Sequence, residues 1–145
     1  MNYLYDSSAL LNTIRLHKQD AYEVLKDSLT LSLAKYEIGN VLWKEALLQK
    51  RISIQEAFET ILLFNSVLKI MRIVDPSDSG MVLKLAYELR VTFYDASYVV
   101  ASIENNAKLI TDDEKLARKI RENADVIVKI LGEKPEVLSS NKTLE

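Results

Sequence analysis

Short β-prone runs alternate with stretches of helical spacing along this chain, and that alternation leaves few architectures open. NYLY at 2–5, LTLSL at 29–33, MRIVD at 71–75, KLIT at 108–111 and VIVKIL at 126–131 read as strands. Between them, apolar residues recur at helical intervals, as in Ile38, Val41, Leu42, Trp43, Ala46 and Leu47. Ser53-Ile-Gln-Glu56 has the form of a capping box and opens a helix running to about Ile70. Asp78 or Ser79 is placed to cap the next helix, to about Arg90, and a further one spans Tyr94 to Asn105. Thr111-Asp-Asp-Glu114 repeats the box before DEKLARKIREN. Strands alternating with helices imply a parallel sheet covered on both faces, a three-layer α/β/α sandwich. Residues 1–131 form one domain on this reading, and 132–145, with Gly132, Pro135 and SSNKTLE, form a flexible tail.

Composition removes several chemistries. The 145 residues contain no cysteine, which excludes thiolate metal sites and cysteine nucleophiles. The one histidine, His17, cannot supply a multi-histidine zinc site, and in the polar stretch RLHKQD it is expected to be solvated. No leader-like segment and no run of about 18 apolar residues occurs, so the chain is expected in the cytosol. A net charge of −2 gives no general electrostatic footprint for nucleic acid, which leaves room only for a local basic patch.

Acids remain as the carriers of chemistry. Asp6, Glu37, Asp95 and Asp113 each stand where an apolar run gives way to a helix, or on a helix's first turn. The carboxyl ends of parallel strands are where open α/β sheets bind ligands. Each acid also has an ordinary explanation as a helix cap or a dipole-favoured first-turn residue. Ser8 either orients the Asp6 carboxylate or caps a helix; Asn40 shares a face with Glu37, and Asp112 points about 100° away from Asp113. If the four acids converge, two carboxylates about 5 Å apart repel by on the order of 3 kcal/mol at an effective dielectric of about 20. Such a cluster recruits a cation, and hard oxygen ligands favour Mg²⁺ or Mn²⁺.

Taken in order, Asp6-Ser-Ser-Ala-Leu, Glu37-x-x-Asn40, Tyr94-Asp-Ala-Ser-Tyr98 and Leu109-Ile-Thr-x-Asp113-x-x-Leu116 resemble the PIN domain, and among its members the VapC-type toxins of toxin–antitoxin pairs. The resemblance covers about residues 2–131. It implies a PIN-like α/β/α endoribonuclease that cleaves single-stranded RNA with Mg²⁺ or Mn²⁺ held by Asp6, Glu37, Asp95 and Asp113. Ser8, Asn40 and Thr111 match supporting polar positions, and Asp112 adds a carboxylate that competes with Asp113 for the metal. Lys44, Lys115 and Arg118 are candidate RNA contacts, with solvated surface cations as the ordinary alternative. A small antitoxin and a second copy of the chain are the implied partners. The segment 34–70 supports a partner surface independently, because Trp43, Leu47, Leu48, Phe58, Leu62, Leu63 and Phe64 occupy more than one stripe. Two non-catalytic alternatives stand beside this: a receiver-like module, which lacks its paired acids here, and a PIN-like scaffold.

Overall fold

The computed structural model describes residues 2–142. Five parallel strands, β1 (Asn2–Tyr5), β2 (Leu29–Thr30), β3 (Arg72–Ile73), β4 (Ala107–Ile110) and β5 (Val137–Leu138), form one sheet in the order β3-β2-β1-β4-β5. The α-helices are α1 (Ser7–His17), α2 (Ala21–Leu25), α3 (Ala34–Trp43), α4 (Ile54–Leu68), α5 (Ser79–Leu89), α6 (Phe93–Glu104), α7 (Glu114–Glu122) and α8 (Ala124–Leu131). They cover the sheet on both sides as a three-layer α/β/α sandwich, because the two-residue period of each strand sends alternate side chains to opposite faces. Leu4 and Leu109 enter one core, with Leu85, Val99, Ile120 and Ile127 from α5 to α8. Their neighbours Tyr5 and Ile110 enter the other, with Leu10, Leu25, Ile38 and Phe64 from α1 to α4. Each such fully buried Leu, Ile or Phe side chain contributes about 1.5–3 kcal/mol, so both layers are firmly attached.

The chain leaves β1 toward β2 on one side and returns at β4 on the other, so the direction of winding reverses between β1 and β4. A crevice opens at the carboxyl ends of strands flanking such a reversal. Asn2 to Tyr5 pair with Ala107 to Ile110 in direct register. Asp6 N–H then donates to the Ile110 carbonyl at 3.0 Å. Asp6 and Thr111 therefore leave the sheet side by side.

Two sequence expectations change at the C-terminal end. VIVKIL at 126–131 is helix α8, not a strand. Its buried Ile127 packs in the core beneath α5, with Ile130 and Leu131 partly buried one turn on, and Gly132 ends it at φ 87°. Tertiary packing and this left-handed stop override the β-branched composition. The fifth strand instead lies in the expected tail, where Val137 and Leu138 pair with Leu109 and Ile110. A 3₁₀ turn, Ser140–Lys142, follows it; residues 143–145 lie outside the described residues. LTLSL and MRIVD also shrink to two-residue strands, and α3 ends at Trp43, where a π-helical turn, Lys44–Leu48, takes over. Arg15 of α1 holds that turn through both guanidinium nitrogens on Glu45, at 3.2 and 2.5 Å.

Candidate functional site

Asp6 is 5% exposed at the end of β1. Its carboxylate does two jobs. Oδ1 accepts from the Ala9 N–H at 3.0 Å, capping α1, and from the Ser8 hydroxyl at 2.7 Å. Oδ2 accepts from the Thr111 hydroxyl. Ser8 thus orients the carboxylate, and the cap is Asp6 itself. Burial pushes the Asp6 carboxyl up to about 6, against the pull of these three donors, and the charge on Asp95 adds to the rise.

Asp95 enters from α6. The cap of α6 is Thr92, whose Oγ1 accepts from the Asp95 N–H at 3.0 Å, so capping does not account for the Asp95 side chain. It projects from the first turn, half-buried, and the Thr92 hydroxyl donates to it. Burial first, then Asp113, raises its carboxyl above the ordinary range. Glu37, on the first turn of α3, is raised by burial and also by Asp95, and its Oε1 accepts from Tyr98 at 2.8 Å. Burial and the Glu37 charge hold the Tyr98 hydroxyl far above the usual phenol range, so it keeps its proton and donates it to Glu37.

Asp113 caps α7, accepting from Lys115 N–H at 3.0 Å and Leu116 N–H at 3.1 Å through Oδ1. The expected Thr111 cap is not used; Thr111 turns its hydroxyl to Asp6 instead. Asp112 faces elsewhere. Its Oδ1 accepts from Ser140 N–H at 2.8 Å, and its Oδ2 from Ser140 Oγ at 2.5 Å and Asn12 Nδ2 at 2.9 Å.

Asp95 is the hub of the group, raising both Asp6 and Glu37 and itself raised by Asp113. Among the described residues no lysine or arginine forms an ion pair with any of the four. Nor do three acids or histidines among the described residues stand close enough to share one metal ion in this arrangement. The donor set is nonetheless that of a hard divalent cation, oxygen only and anionic. Asp6 Oδ2, with a single donor, keeps a lone pair, and Asp113 uses only Oδ1 in its cap.

Of the other sequence candidates, Asn40, Lys44, Lys115 and Arg118 are exposed. His17 departs from its solvated expectation, since its Nε2 is buried without a partner. Sequence reasoning passed over Tyr98, Thr92 and Ser7, which hydrogen-bonds both Glu37 and Tyr98. Tyr98 carried a readable signal, standing at i+3 from Asp95 and so on the same helix face.

Away from the acids, Gly39, Leu42, Trp43, Ala46, Leu47, Ile54 and Phe58 line a groove of about 340 Å³ between α3 with its π turn and α4. Trp43, Leu47, Leu48, Phe58 and Leu62 are exposed as expected of a partner surface, whereas Phe64 is fully buried in the core.

A profile of the PIN domain matches residues 3–123. Over 126 residues the chain is 32% identical to a protein named Exonuclease VapC9 from Pyrobaculum aerophilum, spanning 87% of this chain and 91% of that one. Its fold is similar to the crystal structure of PAE2754 from Pyrobaculum aerophilum, with a TM-score of 0.74, 24% identity and coverage of 99% and 93% of the two chains. It is also similar to VapBC2 from Rickettsia felis, solved with a DNA fragment from the promoter, with a TM-score of 0.60, 15% identity and coverage of 96% and 98%. VapBC-1 from nontypeable Haemophilus influenzae gives a TM-score of 0.56, 12% identity and coverage of 97% and 99%. At these identities the solved structures speak to the fold alone.

Proposed function

The chain belongs to the PIN domain family and is VapC-like, and from that premise we propose that it is a metal-dependent endoribonuclease acting on single-stranded RNA, the toxin of a VapBC-type pair. One observation carries the reading. Burial and the charge on Asp95 raise the carboxyls of Asp6 and Glu37, burial and the charge on Asp113 raise that of Asp95, and among the described residues no cation forms an ion pair with any of the four. A fold selected only for stability has no reason to keep that repulsion.

Asp6, Glu37, Asp95 and Asp113 would hold Mg²⁺ or Mn²⁺. Bound there, the ion supplies a water of lowered pKa and charge neutralisation on the phosphate. The chain's own groups do the rest. Ser8, Thr111 and the Ala9 N–H fix the Asp6 carboxylate, and Tyr98 fixes Glu37. Glu37 or Asp113 would be the group to take up the proton of the attacking water. Lys44, Lys115 and Arg118, exposed on the π turn and α7, are free to meet the phosphates flanking the scissile bond.

The partners follow from the other surface. Trp43, Leu47 and Phe58 line one apolar groove, with Leu62 exposed one turn beyond Phe58 on α4, a surface suited to a second copy of the chain and to an apolar helix of a small antitoxin. Among the described residues no helix is long and apolar enough to cross a membrane, in keeping with action on cytoplasmic RNA.

Cleavage of linear and covalently closed single-stranded RNA, each in Mn²⁺ and in chelator, tests the proposal. Both substrates should be cut in Mn²⁺ and neither in chelator. Cutting of the linear form alone would replace internal cleavage with attack from an end, as the relative's name says of that protein. Activity that survives chelation would remove the metal from the account.

A further inference from the structure

Two backbone N–H groups of the turn at 111–113 aim two hydroxyls at Asp6. The Asp112 N–H donates to Ser8 Oγ at 3.0 Å, and the Asp113 N–H donates to Thr111 Oγ1 at 3.1 Å. A hydroxyl has one proton, so with an N–H on its lone pair each sends that proton onto the carboxylate, Ser8 to Oδ1 and Thr111 to Oδ2. The environment of Asp6 is therefore set by where this turn sits. Three contacts hold it there: Thr111 N–H on the Leu138 carbonyl at 2.9 Å, Asp112 on both the N–H and the hydroxyl of Ser140, and Asp112 on Asn12 of α1.

We propose that Asp112 is a positioning residue for Asp6. By gripping Ser140 and Asn12 it fixes the 111–113 turn so that the Ser8 and Thr111 hydroxyls stay on the Asp6 carboxylate. Residues 137–142 (VLSSNK) contain no acid, yet through this grip they set the affinity and turnover of the cluster. The proposal rests on the metal-dependent reading for its functional readout, not for its geometry.

The discriminating variant is Asn12→Ala with Ser140→Ala, which weakens the grip while leaving the Asp112 carboxylate in place; Asp112→Ala is its companion. Mn²⁺ binding to the full chain, measured by calorimetry, should weaken by about tenfold or more in both, the usual size of a lost outer-shell contact. The kcat on single-stranded RNA should fall with KM near wild type, and Ser140→Thr, which keeps the hydroxyl, should restore both quantities toward wild type. If Asp112→Ala weakens Mn²⁺ binding and the double variant does not, Asp112 acts by its own charge or as a ligand, and the proposal is wrong. Amide hydrogen exchange in chelator decides the matter without metal. The Asp112 and Asp113 amides should exchange about fivefold faster in the double variant, the equivalent of one net hydrogen bond. Unchanged exchange overturns the grip even if wild type neither binds Mn²⁺ nor cuts RNA, an outcome that would separately remove the proposed function.

Discussion

At the carboxyl ends of β1 and β4, carboxylates lie buried or half-buried near one another; on α3, the π turn after it and α4, a tryptophan, a phenylalanine and several leucines lie in water. The first region breaks the rule that buried charge is paired, the second the rule that large apolar groups cluster inside. Both lower the stability of the isolated chain, by different physics. Repulsion between like charges is relieved by a cation or by protons, and exposed apolar area only by another apolar surface. The form of each violation thus names its partner, an ion at one region and a protein at the other.

The largest expected effect separates the two regions by activity. Asp6→Asn, Asp95→Asn and Asp113→Asn should each lower RNA cleavage by about 100-fold or more, since each removes a charged ligand. Trp43→Ser and Phe58→Ser should leave the rate per chain unchanged. A groove variant that silences cleavage as fully as an acid variant would erase the distinction.

Protons sharpen the comparison next. The Asp6 carboxyl stands at about 6 in the fold against an ordinary 3.8. Between those values the folded protein holds a proton that the unfolded chain releases, so this group's contribution is full below about pH 4 and lost as pH rises through 6. Metal-free protein should gain on the order of 2–3 kcal/mol from this residue on going from pH 7 to pH 4. Asp6→Asn should lack that gain and be at least as stable as wild type at pH 7. Denaturation in chelator across this range measures it, and parallel curves for the two proteins would count against the buried charge.

The groove should respond to dilution and not to pH. If Trp43 anchors a dimer, Trp43→Ala should weaken self-association by about 2 kcal/mol, the scale of a central aromatic anchor. Sedimentation at micromolar concentration should then show wild type associated and the variant dissociated; monomeric wild type would leave the groove to another partner.

The smallest effect tests the division of labour on α6. Thr92→Ala should cost about 1 kcal/mol as a lost cap, and Asp95→Asn nothing, because Thr92 and not Asp95 caps this helix. Equal losses would return Asp95 to a capping role.

How far the sequence carried the account differs between fold and site. The strand–helix alternation was readable because β1, β4 and the helices between them obey their own periods, and Ser53 and Asp78 cap where their side chains suggest. VIVKIL misled because a β-branched run on a short helix looks like a strand until its packing against α5 is known, and two-residue β5 offers no pattern to read. At the site, capping does not preclude electrostatic coupling: Asp6 and Asp113 each cap a helix, and each interacts with Asp95. Asp95 stands apart only because the cap came from Thr92, three residues earlier. The turn of Asp112 toward Ser140 depends on where the C-terminal segment returns, which no local spacing encodes. The π turn after Trp43 was equally invisible, since its sequence continues the apolar spacing of α3.

If the four acids act together as one cation site, Mn²⁺ titration of the purified chain at pH 7 should reveal it. Calorimetry of wild type beside Asp95→Asn, with thermal unfolding of both at saturating Mn²⁺, gives the answer. Wild type should bind Mn²⁺ saturably and gain about 2.7 kcal/mol at 100 times the dissociation constant, and the variant should lose both, since Asp95 is the acid that couples to all the others. Wild type and Asp95→Asn binding Mn²⁺ alike, or neither being stabilised by it, would contradict a shared cation site and leave these carboxylates as helix caps and first-turn acids.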